Sequence, residues 1–319
     1  MSGSIDGGLR RGAQPVVLAY CPVPATELPL GGVDLDDTLS ALGMLPSDPT
    51  LRLRPGRLER ATTTPEGTAS LAVEWADGVA TARADGDGAA WVLARLPGLL
   101  GLLDDPTGFT PQQRPLRDLW RRHPGDRVPR TGTLWHDLAW FVLQQRVQRA
   151  DADAQWARLV HAHGTPAPGA TGLLTPPDCA TLARMSYAQL HPLGLERRRA
   201  QTLIGAARAV VRLQAAVDGP FAEAEPHLRA VPGIGPWTAS CLATHTWGEA
   251  DRVVEGDDGI PSLVCWVLAR EPRADDARML ALLEPYRPHR YRVVRLAFHS
   301  GLRPPRYAPR RPVQDVRRR

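Results

Sequence analysis

Two periods of hydrophobic and polar positions divide the chain. From about residue 16 to 112 the runs are short and mixed. TLRLRPGRLERATTT and ASLAVEWADGVATARADG alternate every second residue and are broken by Gly, Pro and Asp, which predicts antiparallel strands. LDDTLSALGML (35–45) and AAWVLARLPGLLGLL (89–103) begin after Asp or Gly and predict helices. Residues 1–112 therefore form a small α+β domain, preceded by a leader rich in Gly, Ser and Arg over residues 1–14.

A Pro-rich link (DDPTGFTPQQRP, 104–115) follows, and beyond it the period becomes that of a helix. Residues 133–164 predict one or two amphipathic helices, with Trp135, Leu138, Phe141, Val142 and Val147 as apolar markers. PDCATLARMSYAQLHPLG, ERRRAQTLIGAARAVVRLQAAV and EAEPHLRAV predict further helices, separated by Gly and Pro. After a glycine-containing turn come another helix, a loop, and two last helices in ADDARMLALLEPY and HRYRVVRLAFHSG. Residues 113–319 are thus all-α, and no 20–50-residue repeat points to a solenoid.

Charge changes this picture more than composition does. The 319 residues contain no lysine, so all 39 basic residues are arginine, against 34 acids. From Pro285 to Arg319 there are 11 arginines and one acid, a local balance of +10, whereas residues 1–112 carry 14 acids and 8 arginines. A basic end of this kind is either a surface for a polyanion, most simply nucleic acid, or a disordered tail. The missing lysine removes any Schiff-base chemistry through a side-chain amine, leaving only a chain-terminal amine at Met1 or Ser2.

No stretch approaches 18 apolar residues, and the start lacks the apolar run of a secretory signal. Cys21, Cys179, Cys241 and Cys265 are far apart, without the spacing of a zinc or iron–sulfur site. The expectation is a cytoplasmic protein with free thiols, no metal and no cofactor.

The strongest local signal is VPGIGPWTA, Val231–Ala239. One helix is predicted to end near Ala230 and another to begin near Trp237, with Gly233, Ile234 and Gly235 in the turn. Such a turn aims backbone N–H groups outward at a helix N-terminus, where a phosphate is welcome, and Ile234 is expected to turn inward as its anchor. A plain C-cap and loop is the competing explanation. A dinucleotide fingerprint fits worse, because Thr238–Ala239–Ser240 stand where a third glycine is needed.

The turn together with LWHDLAWFVLQQRV (134–147), LGLERRRAQTLIGAA, the segment VPGIGPWTASCLATHTWGEADRVVEGDDGIPSLVCWVLA and RPHRYRVVRLAFHSG covers about 170 residues in consistent order. That series resembles the helix-hairpin-helix (HhH-GPD) DNA glycosylases, nearest their 3-methyladenine DNA glycosylase II branch. The resemblance implies a mainly α fold: an all-α helix-hairpin-helix domain preceded by a smaller α+β domain with an antiparallel sheet. Over residues 1–112 it holds only in outline.

The family's aspartate falls on Asp257, 24 residues past Gly233, with Asp258 as second choice because it stands where relatives carry an aromatic residue. On the residues alone, Asp258 before Gly259-Ile260-Pro261 looks like the acidic start of a helix, so one aspartate is expected to cap and the other to be free for chemistry. Trp237 stands where strand-cutting relatives carry a lysine, which implies attack by water. The resemblance places Trp237, Cys241, Phe298 and His299 around the base pocket, although Trp237 and Phe298 also suit an apolar core. It places Gly233, Ile234, Gly235 and Thr238 at the DNA backbone. Gln145 and Arg146 fall at the wedge that fills the gap left by a flipped base; a solvated helix-end arginine is the alternative for Arg146. Arg290, Arg292 and Arg295 fall on a helix beside the pocket, which makes the basic end a DNA-facing side.

The resemblance implies a monomeric, monofunctional DNA glycosylase acting on damaged, most simply alkylated, purines in double-stranded DNA. The alternative is a non-catalytic damaged-DNA-binding protein of the same fold.

Overall fold

A computed structural model describes residues 25–305. The leader, Cys21 and the arginines beyond residue 305 lie outside the described residues. The alternating segments form one antiparallel sheet of order β1-β5-β4-β3-β2: β1 (Thr26–Pro29), β2 (Leu51–Arg54), β3 (Arg57–Thr64), β4 (Gly67–Ala76) and β5 (Val79–Asp85). β3 and β4 pair from Arg57↔Glu74 to Thr64↔Gly67. Asp77 and Gly78 turn β4 into β5 with φ of 51° and 77°, the pair of positive values that a two-residue hairpin needs. β1 escapes sequence reading, because TELP is too short to show alternation. Only pairing with β5 makes it a strand.

Helices α1 (Leu35–Leu39), α2 (Ala89–Ala94) and α3 (Leu96–Leu99) cover this sheet. Asp34 caps α1 through the Asp37 amide at 3.1 Å. Leu35, Leu39, Leu58, Leu71, Val73 and Trp91 are buried in the resulting core.

The helical part runs α4 (Arg114–Arg122), α5 (Leu134–Gln144), α6 (Arg149–His163), α7 (Cys179–Ala183), α8 (Tyr187–Leu190), α9 (Arg197–Leu213), α10 (Phe221–Arg229), α11 (Pro236–His245), α12 (Ile260–Ala269), α13 (Asp276–Leu283) and α14 (Arg290–His299). The 133–164 segment is two helices, α5 and α6, parted at Gln145–Gln148. α4 is not foreseen, since its apolar face is only Leu116 and Leu119. Two cores form. One gathers α5, α9, α10 and α11 around Leu138, Leu203 and Leu242; the other gathers α4, α12, α13 and α14 around Leu116, Cys265 and Val293. Ile260 and Tyr291 pack against both, so a seam runs between the cores beside α11.

Among the described residues no helix is long and apolar enough to cross a membrane. A buried polar junction ties the sheet to α5. Arg60 of β3 donates to Thr133 Oγ1 at 2.7 Å and Asp137 Oδ1 at 3.1 Å, and Thr131 and Thr246 donate to the other Asp137 oxygen.

Candidate active site

The turn between α10 and α11 begins with a steric requirement. Gly233 has φ of +90°, and a Cβ there would lie 1.9 Å from Thr202 Oγ1 of α9. Only glycine both adopts that angle and lets the turn sit on α9. Ile234 faces inward, 4% exposed, and its amide donates to Val231 O at 3.0 Å. Pro236 opens α11, and the first helical bond runs from Ala239 N to Gly235 O at 3.0 Å. The amides ahead of that bond have no partner within the helix, as at any helix start.

Gln145 closes the turn from the other side. Its Nε2 donates to Gly233 O at 3.1 Å and to Thr238 Oγ1 at 2.9 Å. This fastens the α5–α6 connection to the hairpin. Thr238 is buried, so its hydroxyl is a brace for Gln145 and not a surface group. Arg146, the next residue, is exposed and has φ of +57°, an unusual backbone angle for a side-chain-bearing residue. Arg199 is buried beneath the connection and donates to Leu143 O at 2.9 Å and to Gln155 Oε1 at 2.6 Å. The connection that presents Arg146 is therefore held at both ends. Sequence reading missed Thr202 and Arg199, because their roles depend on the close approach of α9 to partners 31 to 56 residues away.

Asp257 stands just before α12, partly exposed, while Asp258 is exposed. Asp257 Oδ1 accepts from the Gly259 and Ile260 amides at 2.8 and 3.0 Å, so Asp257, not Asp258, caps the helix. Its Oδ2 accepts from Trp237 Nε1 at 3.1 Å. Capping and presentation fall to one carboxylate, contrary to the expected division between two. Cys241 lies one turn beyond Trp237 on α11. Burial, and then the Asp257 carboxylate, push its thiol well above the ordinary value, so it is a neutral, apolar wall group. Phe141 meets Trp237 edge-to-face at 6.2 Å. Tyr291, from the start of α14, lies against Thr244 and Cys241; burial raises its phenol. Phe141 and Tyr291 thus join Trp237, Cys241 and Asp257 at the seam.

Phe298 and His299 are not brought there. They sit about 10 Å further along α14 than Tyr291, two helical turns on. Phe298 is 53% exposed, and His299 stacks on His123 at 4.7 Å. Their expected place in the pocket is corrected to the far end of the helix.

The basic face expected of α14 is likewise corrected. Arg292 is wholly buried and makes a two-pronged pair with Asp104 at 2.8 and 2.9 Å. Arg295 is buried against Asp126, its Nε donating at 3.0 Å. Arg290 grips Asp251 at 2.9 and 2.8 Å and is largely covered. Each arginine has its own aspartate from another element, so α14 is clamped into the fold and its charge is spent internally. Arg146, Arg149, Arg198 and Arg229, by contrast, are exposed.

No protein-family profile matches the chain. Sequence similarity is found to a protein described as "Probable bifunctional transcriptional activator/DNA repair enzyme AlkA" of Mycobacterium tuberculosis, 32% identical over 148 residues, covering 46% of this chain and 29% of that one. It is also found to "DNA-3-methyladenine glycosylase 2" of Escherichia coli K12, 27% identical over 184 residues, covering 57% of this chain and 63% of that one. The chain thus spans less than a third of the first relative's length and under two thirds of the second's. Among solved structures, a 3-methyladenine DNA glycosylase from Archaeoglobus fulgidus shares the fold with a TM-score of 0.70 at 18% identity, covering 86% of this chain and 98% of that one. Over about half its length the chain is thus similar in sequence to a DNA repair enzyme and to a 3-methyladenine DNA glycosylase, and it shares the fold of a solved 3-methyladenine DNA glycosylase.

Proposed function

We propose that this protein is a monofunctional DNA glycosylase that flips a damaged purine, most simply an alkylated one, out of duplex DNA and hydrolyses its N-glycosidic bond with water. The carrying observation is Asp257: a carboxylate with one oxygen fixed by two amides and the other by Trp237 Nε1, beside a hairpin suited to DNA backbone. Cleavage of the bond builds positive charge on the sugar, and a carboxylate fixed before the reaction stabilises it without having to reorganise. The same group orients the attacking water. Trp237 and Tyr291, both partly exposed, offer π faces, which attract the positive charge of an alkylated purine. Arg146 fills the gap in the stack, and the hairpin holds a phosphate.

The absence of a lysine side chain to attack the sugar supports water as the nucleophile. We read the chain as two parts meeting near residue 112, the first a scaffold for α5, and as working alone on DNA in the cytoplasm at the nucleoid. A second reading, damaged-DNA binding without catalysis, draws on the full engagement of Asp257 as a helix cap. One experiment separates the possibilities. Duplexes carrying 3-methyladenine, 7-methylguanine or hypoxanthine are incubated with the protein, then treated with alkali or with borohydride. Strand breaks that appear only after alkali, with no borohydride-trapped adduct, support hydrolysis. Trapped adducts would point to the chain-terminal amine, and no breaks on any lesion would leave only binding.

A further inference from the structure

Three groups from distant parts of the chain meet away from Asp257, where α1, the end of α4 and the end of α14 converge. His123, just after α4, sets Nδ1 2.7 Å from Asp37 Oδ2. His299 stacks on His123 with planes 19° apart. Its Nδ1 lies 3.7 Å from Asp37 Oδ1, and its Nε2 lies 3.5 Å from Asp126 Oδ1. One ligand atom from each of Asp37, His123 and His299 falls within 4.8 Å of the others, and all three residues are partly exposed.

The two ring nitrogens of His299 face different carboxylates. Asp126 is buried and doubly bonded to Arg295, so it faces His299 as an anion. His299 turns its other ring nitrogen, Nδ1, toward Asp37 Oδ1, so the carboxylate of Asp37 and the imidazole edges of His123 and His299 converge on one partly exposed space. The 3.7 Å spacing is close to the roughly 3.3 Å that separates ligand atoms in a tetrahedron with bonds of about 2.0 Å. Beyond His299, Asp126 supplies the carboxylate that a metal-bound imidazole usually has on its other nitrogen.

We propose that Asp37, His123 and His299 bind a divalent cation of the zinc class, which clips the N-terminal sheet domain to the two ends of the helical domain. Imidazole nitrogen with one carboxylate oxygen suits Zn²⁺, Co²⁺ or Ni²⁺ and not Mg²⁺. The cation displaces the hydrogen bond between His123 and Asp37. Exposure of all three ligands leaves a path from solvent and room for a water as fourth ligand. Sequence spacing could not show the site, because its ligands are 86 and 176 residues apart.

The test uses the full chain, freed of metal and titrated with Zn²⁺ against a chromophoric chelator. One equivalent is expected to bind. His123→Gln and Asp37→Asn should each weaken it by about tenfold or more, whereas His161→Gln/His163→Gln should leave it unchanged. At a hundredfold excess over Kd the melting temperature should rise by roughly 5 °C. X-ray absorption of the zinc-loaded wild-type chain should show two imidazole ligands, a readout that stands even where a variant fails to fold. Failure to bind, binding indifferent to His123→Gln and Asp37→Asn in folded protein, or a spectrum without imidazole would each overturn the proposal.

Discussion

Trp237 Nε1 and Asp257 Oδ2 are 3.1 Å apart, and that bond joins the helix after the hairpin to the helix that follows the acidic loop. Trp237 thereby serves both as a wall of the seam and as the group that aims the carboxylate. Trp237→Phe keeps the ring and removes the donor. Single-turnover base release should fall about tenfold, the worth of one hydrogen bond to a charged group, while the melting temperature stays within about 2 °C. Equal losses in release and in DNA affinity would instead mean that only the ring matters.

Gly233 and Thr202 form the second testable pair. Gly233→Ala should lower stability by more than about 2 kcal/mol, because it adds a clash to a positive φ. Thr202→Ala in the same chain should restore part of the loss and not all, since the angle remains unfavourable. Denaturant unfolding of the two single variants and the double variant measures this coupling.

The arginines separate into two classes. Arg292→Ala should cost about 3–5 kcal/mol of stability, because Asp104 is then left buried without its partner. Arg146→Ala should leave stability nearly unchanged, weaken binding to duplex DNA of any sequence, and reduce the slope of log affinity against log salt by about one. The opposite assignment, with Arg292 governing the salt slope, would restore a DNA-facing α14.

Acid should loosen the junction between sheet and helices. Burial pushes the His245 imidazole down to about 4, despite the pull of Asp137, and drives His136 well below its usual range. The unfolded chain therefore binds more protons than the folded one between about pH 6.5 and 4. Stability is complete above that window and is lost as pH falls through it. His245→Gln should flatten the decline in melting temperature between pH 7 and 5. Asp126 acts lower. Burial alone would raise it, but Arg295 and then His299 hold it at about 2, so its contribution is lost only below about pH 4.

Local pattern revealed the elements well and their partners badly. Strands β2–β5 announced themselves by alternation broken at Asp77-Gly78, and the hairpin by two glycines around an inward isoleucine. Asp257 was reached through resemblance, and its double role through structure. The arginines of α14 misled because a run of positive charge looks the same whether its counterions are phosphates or aspartates. Asp104, Asp126 and Asp251 lie 39 to 188 residues away, and no local window contains both members of a pair. His299 misled for the same reason: its neighbours Asp37 and His123 come from elements that only the tertiary fold brings to α14.

The central claim is that Asp257 carries the chemistry. Asp257→Asn keeps an oxygen for the Gly259 and Ile260 amides, so α12 stays capped while the negative charge is lost. Base release from a methylated-purine duplex under single-turnover conditions should fall by about 100-fold or more, with DNA affinity within about threefold of wild type. Release at the wild-type rate from folded, DNA-binding Asp257→Asn protein would contradict the account.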